Sequence, residues 1–237
     1  EELLISNIDL SNIDIVKEAI TRILNTPLGQ DLNGLKLNQV KKEYLIKELK
    51  FDLPLAHIGK PIRSSDISNI FKQDLCSRFS SNYSSQVSQL SFHSKGFLTG
   101  AIDLVFNDLQ DSTNGKWWVT DWKSNWIGYE DSEGNQIHCG PTNYNQKAIE
   151  HQMIVHHYPL QAHIYLLALH RFLRWRLPNY SPKKHLGGYI YIFIRGIPSE
   201  SIIKKIKDSE SIPGLFIEKA PIERILELDE LIKEGGS

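Results

Sequence analysis

Cysteine is scarce: Cys76 and Cys139 are the two in 237 residues, far apart and without a CxxC spacing. That excludes a disulfide framework or a cysteine-built zinc site and points to a reducing, cytoplasmic setting. Methionine is scarcer still, Met153 alone, and the chain opens Glu1-Glu2-Leu3. With the uncapped end Glu234-Gly235-Gly236-Ser237, this reads as a piece of a longer polypeptide. No apolar run is long enough to span a bilayer, and no basic-then-apolar leader opens the chain. Neither sign of charge dominates: 27 Lys and Arg stand against 28 Asp and Glu. Attraction to a polyanion must therefore come from a local basic surface, not from bulk charge. There is no internal repeat and no Gly-x-x-x-x-Gly-Lys cradle for ATP phosphates.

What is present is a chain with 41% hydrophobic residues, enough for one sizeable core, with a second domain not required. Ile15, Val16, Ala19, Ile20 and Ile23 recur at helical spacing and Thr26-Pro27 stops them. Asp31-Leu32-Asn33-Gly34 reads as a turn. Tyr44 to Leu53 reads as a strand ended by Pro54. The Ser- and Asn-rich stretch 62–88 has only weak helical character, near Ile67 to Phe79, and reads as a surface insertion. Gln89 to His93 and Phe97 to Phe106 read as two strands, and Lys116 to Lys123 as a third. Ile127 to Tyr144 is polar, carries three glycines and resembles a long functional loop. Gln146 to Trp175 is helical, but Pro159 inside it favours two helices, the second starting near that proline. Gly187 to Ile194 is an apolar run expected of a strand buried on both faces, and Pro221 to Ile232 an amphipathic helix. This order predicts an α/β fold with a mixed sheet flanked by helices.

The informative unit is Gly100-Ala101-Ile102-Asp103 followed by Thr120-Asp121-Trp122-Lys123. Asp103 interrupts an otherwise apolar segment, and Asp121 ends the next strand. Strands joined by a turn lie about 5 Å apart, so the two carboxylates can converge on one cation. Hard oxygen ligands suit magnesium, with manganese as a substitute. Lys123, two residues on, points to the same face as Asp121. Taken singly, each piece is ordinary, since an aspartate at a strand end usually serves a turn or cap. In combination they point to a metal-dependent site.

The segments Gly-Phe-Leu-Thr-Gly-Ala-Ile-Asp-Leu-Val-Phe, Asp-Trp-Lys-Ser-Asn-Trp and Tyr-Pro-Leu-Gln-Ala-His-Ile-Tyr-Leu-Leu-Ala-Leu-His-Arg-Phe-Leu closely resemble the nuclease domains of the RecB family. That family lies within the PD-(D/E)xK superfamily. The run Gly187 to Gly196 agrees as well, with weaker support from Asn25-Thr26-Pro27-Leu28 and Phe51-Asp52-Leu53-Pro54. The resemblance implies a restriction-endonuclease-like core in a single domain, part of a larger helicase–nuclease subunit. It makes Asp103, Asp121 and the Trp122 backbone carbonyl metal ligands and Lys123 the catalytic lysine. Gln161 and Tyr165 match the family's Gln-x-x-x-Tyr motif, which supports the site and contacts DNA; their spacing also places them on one helix face. It implies hydrolysis of DNA ends, single- or double-stranded, to 5′-phosphate and 3′-hydroxyl products during double-strand-break resection. RecC- and RecD-type subunits, and RecA, are the implied partners.

One departure is a missing early histidine. The family carries a metal-binding one well before the acids, whereas the first here is His57, beyond the only early helix, so the family histidine is expected upstream of Glu1. Glu48 is a further acidic candidate. None of the later histidines, His151, His156, His157 and His163 included, has a zinc spacing. Arg171, Arg174, Arg176, Lys183, Lys184 and His185 form a candidate phosphate-contacting run, and Trp122 and Trp126 are candidates for base stacking. A second reading is a docking module with weak or no cleavage, using 62–85 or 127–144 as its surface. A third, a stand-alone nuclease of the superfamily, fits less well, because such relatives commonly carry iron–sulfur cysteines.

Overall fold

Strand-forming stretches far apart in the chain build one five-stranded mixed sheet in the order β1-β2-β3-β6-β7. The computed structural model describes residues 13–55, 62–73, 79, 81–91, 96–206 and 211–234. Strands β1 (Leu45–Leu55), β2 (Gly96–Asn107) and β3 (Trp117–Lys123) form an antiparallel meander. β6 (Leu186–Phe193) is buried along its whole length, and β7 (Leu215–Lys219) closes the far edge. The helices are α1 (Ile13–Leu24), α2 (Ser64–Gln73), α3 (Ser81–Ser88), α4 (Gln146–Val155), α5 (Tyr158–Arg176), α6 (Pro182–His185), α7 (Glu200–Ile203) and α8 (Ile222–Glu234). The α/β class and mixed sheet agree with the sequence reading.

Two compact units divide the described residues. One draws on the chain up to Val40, Trp122–Ile149 and Ile192–Phe216; the other on Lys41–Asp121, Glu150–Tyr191 and the chain from Ile217. In the first, α1 ends where the sequence places its stop. The Thr26 hydroxyl donates to the Arg22 carbonyl at 2.9 Å and the Asn25 amide to that of Thr21 at 2.8 Å, so side chains satisfy carbonyls that a helix end leaves open. Asn33 and Gly34 then adopt left-handed backbone, completing the expected turn.

The second unit holds the larger core. Leu53, Ile62, Ile70, Leu167, Leu228 and Ile232 cluster there, joining β1, α2, α5 and α8. α5 begins one residue before Pro159, after His157 in left-handed backbone, so the expected break between two helices is real. Gly187 and Gly188 lie against the Trp118 ring, where an added Cβ would collide with the indole. The Trp118 indole N–H donates to Asp108 at 3.1 Å.

Four expectations need correction. The stretch 62–88 is not confined to the surface: Ile62, Phe71, Tyr83 and Val87 are buried, because α2 and α3 turn their few apolar side chains inward together. β1 continues through Pro54 to Leu55; it is an edge strand, where a missing N–H costs no ladder bond. Residues 89–91 are not strand, and His93 lies outside the described residues, as does His57. The polar stretch 127–144 is not a plain loop: it contains the hairpin β4 (Tyr129–Glu130) and β5 (Gln136–His138).

A buried charge cluster ties α5 to α8. Asp229, almost fully buried, accepts from Arg171 at 2.6 Å, Arg174 at 3.0 Å and Lys233 at 2.9 Å, with His170 at 3.6 Å. Burial raises the carboxyl's pKa, but hydrogen bonds from His170, Lys233 and Arg171 outweigh it and hold Asp229 well below the usual carboxylate range. A depressed carboxylate contributes stability that is complete above its unfolded value, about 3.9, and is lost as pH falls below it. Asp229→Asn is expected to cost about 3 kcal/mol, a fall of roughly 6–12 °C in Tm at neutral pH. It should also flatten the acid limb of the stability curve, as measured by thermal melts across pH.

Candidate active site

The ladder between β2 and β3 fixes the position of the two acids. Leu104 pairs with Thr120 and Val105 with Val119, so one step along the same antiparallel register sets Asp103 opposite Asp121. Residues so opposed share a face of the sheet. Asp121 is buried at 4% exposure and Asp103 is half-buried. Lys123, at the end of β3 and half-buried, follows Asp121 by two residues, the spacing that returns a side chain to the same face.

Glu48 extends the row across β1. Lys47 pairs with Leu104 and Leu49 with Ile102, which leaves Glu48 level with Asp103. Its backbone is left-handed, φ 49°, an uncommon state for a residue other than glycine, and its side chain is exposed. Among the described residues, no three His, Cys, Asp or Glu side chains gather as a metal-holding group. Asp103 and Asp121 are the two acids that the β2–β3 register brings together. Two carboxylates fit magnesium, which commonly takes one or two and fills its remaining positions with water and phosphate oxygen.

α5 supplies the next layer, a chain of hydrogen bonds ending on Asp121. The Tyr191 hydroxyl, fully buried, lies 3.0 Å from Gln161 Oε1 and 3.2 Å from the Tyr158 carbonyl. The Gln161 amide donates to the Tyr165 hydroxyl at 3.0 Å, and Tyr165 in turn hydrogen-bonds Asp121. Burial, then the charges of Asp121 and Asp103, hold the Tyr165 phenol protonated well above its ordinary range. It remains a donor at any working pH. The helical spacing of Gln161 and Tyr165 thus has a structural purpose, whereas Tyr191 was missed: within an apolar run it reads as core, and only the fold aims its hydroxyl at Gln161.

Gly100 has its own role in this layer. An added Cβ would sit 2.6 Å from the tip of the Phe51 ring, and Phe51 packs edge-on against Tyr165 with centroids 5.9 Å apart. The glycine makes room for the ring that braces the tyrosine.

Other candidates go elsewhere. His163 is fully buried; its Nδ1 faces the Pro159 carbonyl at 2.5 Å and its Nε2 faces Arg224 at 3.1 Å. Burial, then the Arg224 charge, lowers its pKa to about 3, so it is a neutral acceptor. The basic run is largely consumed internally: Arg171 and Arg174 bind Asp229, Lys183 pairs with Glu223 at 3.2 Å, and His185 is buried. Trp122 and Trp126 are both half-buried, and the Arg195 guanidinium lies 5.7 Å from the Trp126 ring while donating to the Ser124 carbonyl at 3.1 Å. Among the described residues no helix is long and apolar enough to cross a membrane.

Gly100→Ala is expected to displace Phe51 toward Tyr165 and cost about 1–3 kcal/mol by overpacking. Adding Phe51→Leu should restore part of the loss in a thermal melt; no recovery would mean that Gly100 answers to another constraint.

Known proteins share this arrangement of segments. The chain is 35% identical over 187 residues to the RecBCD enzyme subunit RecB of Escherichia coli K12, covering 78% of this chain and 14% of that subunit. To RecB of Buchnera aphidicola subsp. Baizongia pistaciae it is 35% identical over 215 residues, 85% of this chain and 16% of the subunit. To RecB of Mycolicibacterium smegmatis it is 28% identical over 223 residues, 90% and 19%. No family model matches the chain. It spans a fifth or less of the length of these relatives. By this homology, which reaches 73–96% of its residues, the chain belongs to the RecB family and corresponds to the C-terminal region of the subunit, the nuclease domain by position.

Proposed function

We propose that this chain is a magnesium-dependent DNA nuclease domain of a RecBCD-type helicase–nuclease, acting on single- and double-stranded ends in break resection and recombinational repair. The observation that carries the reading is the β2–β3 register, which opposes Asp103 and Asp121 while Tyr165 hydrogen-bonds the latter. Asp103, Asp121 and the Trp122 carbonyl would hold magnesium, for which manganese can substitute. Bound there, the ion would polarise the scissile phosphate and acidify a water. The Lys123 ammonium stabilises the developing hydroxide or the charge gathering on phosphate. Tyr165 fixes the Asp121 carboxylate by its hydrogen bond, and Gln161 fixes Tyr165. Glu48, level with Asp103 on the neighbouring strand, is placed to add an acidic group. The whole chain serves as one nuclease domain in the cytoplasm, with RecC- and RecD-type subunits and RecA as partners.

A docking role has one favouring observation. The β4–β5 hairpin is exposed throughout, with Tyr129 and Ile137 each 63% exposed, the kind of apolar surface that an interface covers.

In a cleavage assay, Lys123→Ala and Asp121→Asn should each lower the rate about 100-fold or more, Tyr165→Phe about tenfold, and withholding divalent metal should stop the reaction. Manganese titration by calorimetry should lose its heat in Asp103→Ala/Asp121→Ala. Unchanged cleavage in the first two variants would sink the nuclease reading and leave the docking role.

A further inference from the structure

The end of α5 presents a surface that the catalytic reading does not use. Trp175 is 76% exposed, unusual for the largest side chain. The Arg176 guanidinium lies 4.6 Å from the Trp175 ring and 5.9 Å from the Phe172 ring, a cation set between two aromatic faces. From Arg171 to His185 the sequence carries five Lys or Arg and no Asp or Glu. Asp229 and Glu223 neutralise part of that charge through Arg171, Arg174 and Lys183, while Arg176, against the indole, remains exposed. Basic residues at a helix C-terminus suit the helix dipole, but the dipole gives no reason to hold a tryptophan in water.

The position of the patch is as informative as its composition. Tyr165, which hydrogen-bonds Asp121, lies on the same helix. Phe172 and Arg176 follow it by seven and eleven residues, so both fall within about 20° of its face, with Arg176 about 16 Å farther along the axis. Trp175 itself, ten residues on, lies about 80° round the helix from that face and about 15 Å along the axis, so the exposed indole sits on the solvent side of the same rigid helix with the Arg176 guanidinium beside it.

We propose that Trp175 and Arg176 form a secondary binding site for single-stranded nucleic acid, a few nucleotides from the acid pair. The indole stacks on an unpaired base, and the Arg176 guanidinium meets a flanking phosphate. A duplex keeps its base faces stacked and offers the indole nothing comparable. An acidic protein surface would match the charge, but carboxylates supply no flat ring to cover the exposed indole. The proposal rests on the nuclease reading for the location of the first site.

The test is fluorescence anisotropy in metal-free buffer with labelled oligothymidylates of about 4 and about 15 residues, on wild type, Trp175→Ala, Trp175→Phe, Arg176→Ala and Asp121→Asn. Trp175→Ala should weaken the long strand roughly tenfold and leave the short one unchanged, with Trp175→Phe retaining most of the affinity. Arg176→Ala should reduce the salt slope for the long strand by about one. Wild-type affinity of Trp175→Ala for both lengths would overturn the proposal and return the patch to protein docking. Equal weakening at both lengths would overturn it too. Asp121→Asn separates the two ideas: cleavage at the wild-type rate would fault the nuclease reading, while loss of cleavage with intact binding leaves only the distal site in question.

Discussion

Two carboxylates set across from one another on adjacent strands repel, and the surroundings of the acid pair answer that repulsion. The β2–β3 ladder does not let the acids separate, since a slip of one residue would turn Ile102 and Leu104 out of the core. Relief must come from positive charge or from donors. Tyr165 supplies a donor whose proton is locked on by burial and by the same two charges. Behind it, Gln161 and Tyr191 fix the orientation of that donor. The acids are held on β2 and β3, where Ile102, Val105 and Val119 are buried.

α5 is the element that makes this possible, because it works at both ends. Its first turns carry Gln161 and Tyr165 to the acids. Its last turns are anchored to α8 through Asp229, where three cations converge on one buried carboxylate. Between them Leu166, Leu167 and Leu169 are buried, so the helix cannot roll without emptying the core. The placement of Gln161 and Tyr165 thus depends on packing and ion pairing remote from them.

The parts legible in the sequence were those governed by short-range rules. Pro159 announced the break between α4 and α5, the run around Ile190 announced a buried strand, and Gly-x-x-Asp with Asp-x-Lys announced the opposed acids. The misreadings have a common physical source in tertiary context. Pro54 looked like a terminator because the sequence does not reveal that β1 is an edge. Residues 62–88 looked superficial because a few apolar side chains among many serines become core only when two helices pack them together. Arg171 and Arg174 looked like phosphate contacts because Asp229 lies far ahead in the chain. Tyr191 was hidden by its apolar neighbours. β7 was not anticipated at all.

The edge position of β1 has a further consequence. An edge strand offers unpaired backbone groups that can recruit a strand from another molecule. Here Pro54 removes one donor, Glu48 breaks the extended backbone at φ 49°, and Lys47, Glu48, Lys50 and Asp52 line the strand with charge of both signs. The side of the sheet nearest the acids is thereby a poor template for self-association, and the domain can keep an open edge without inviting aggregation there.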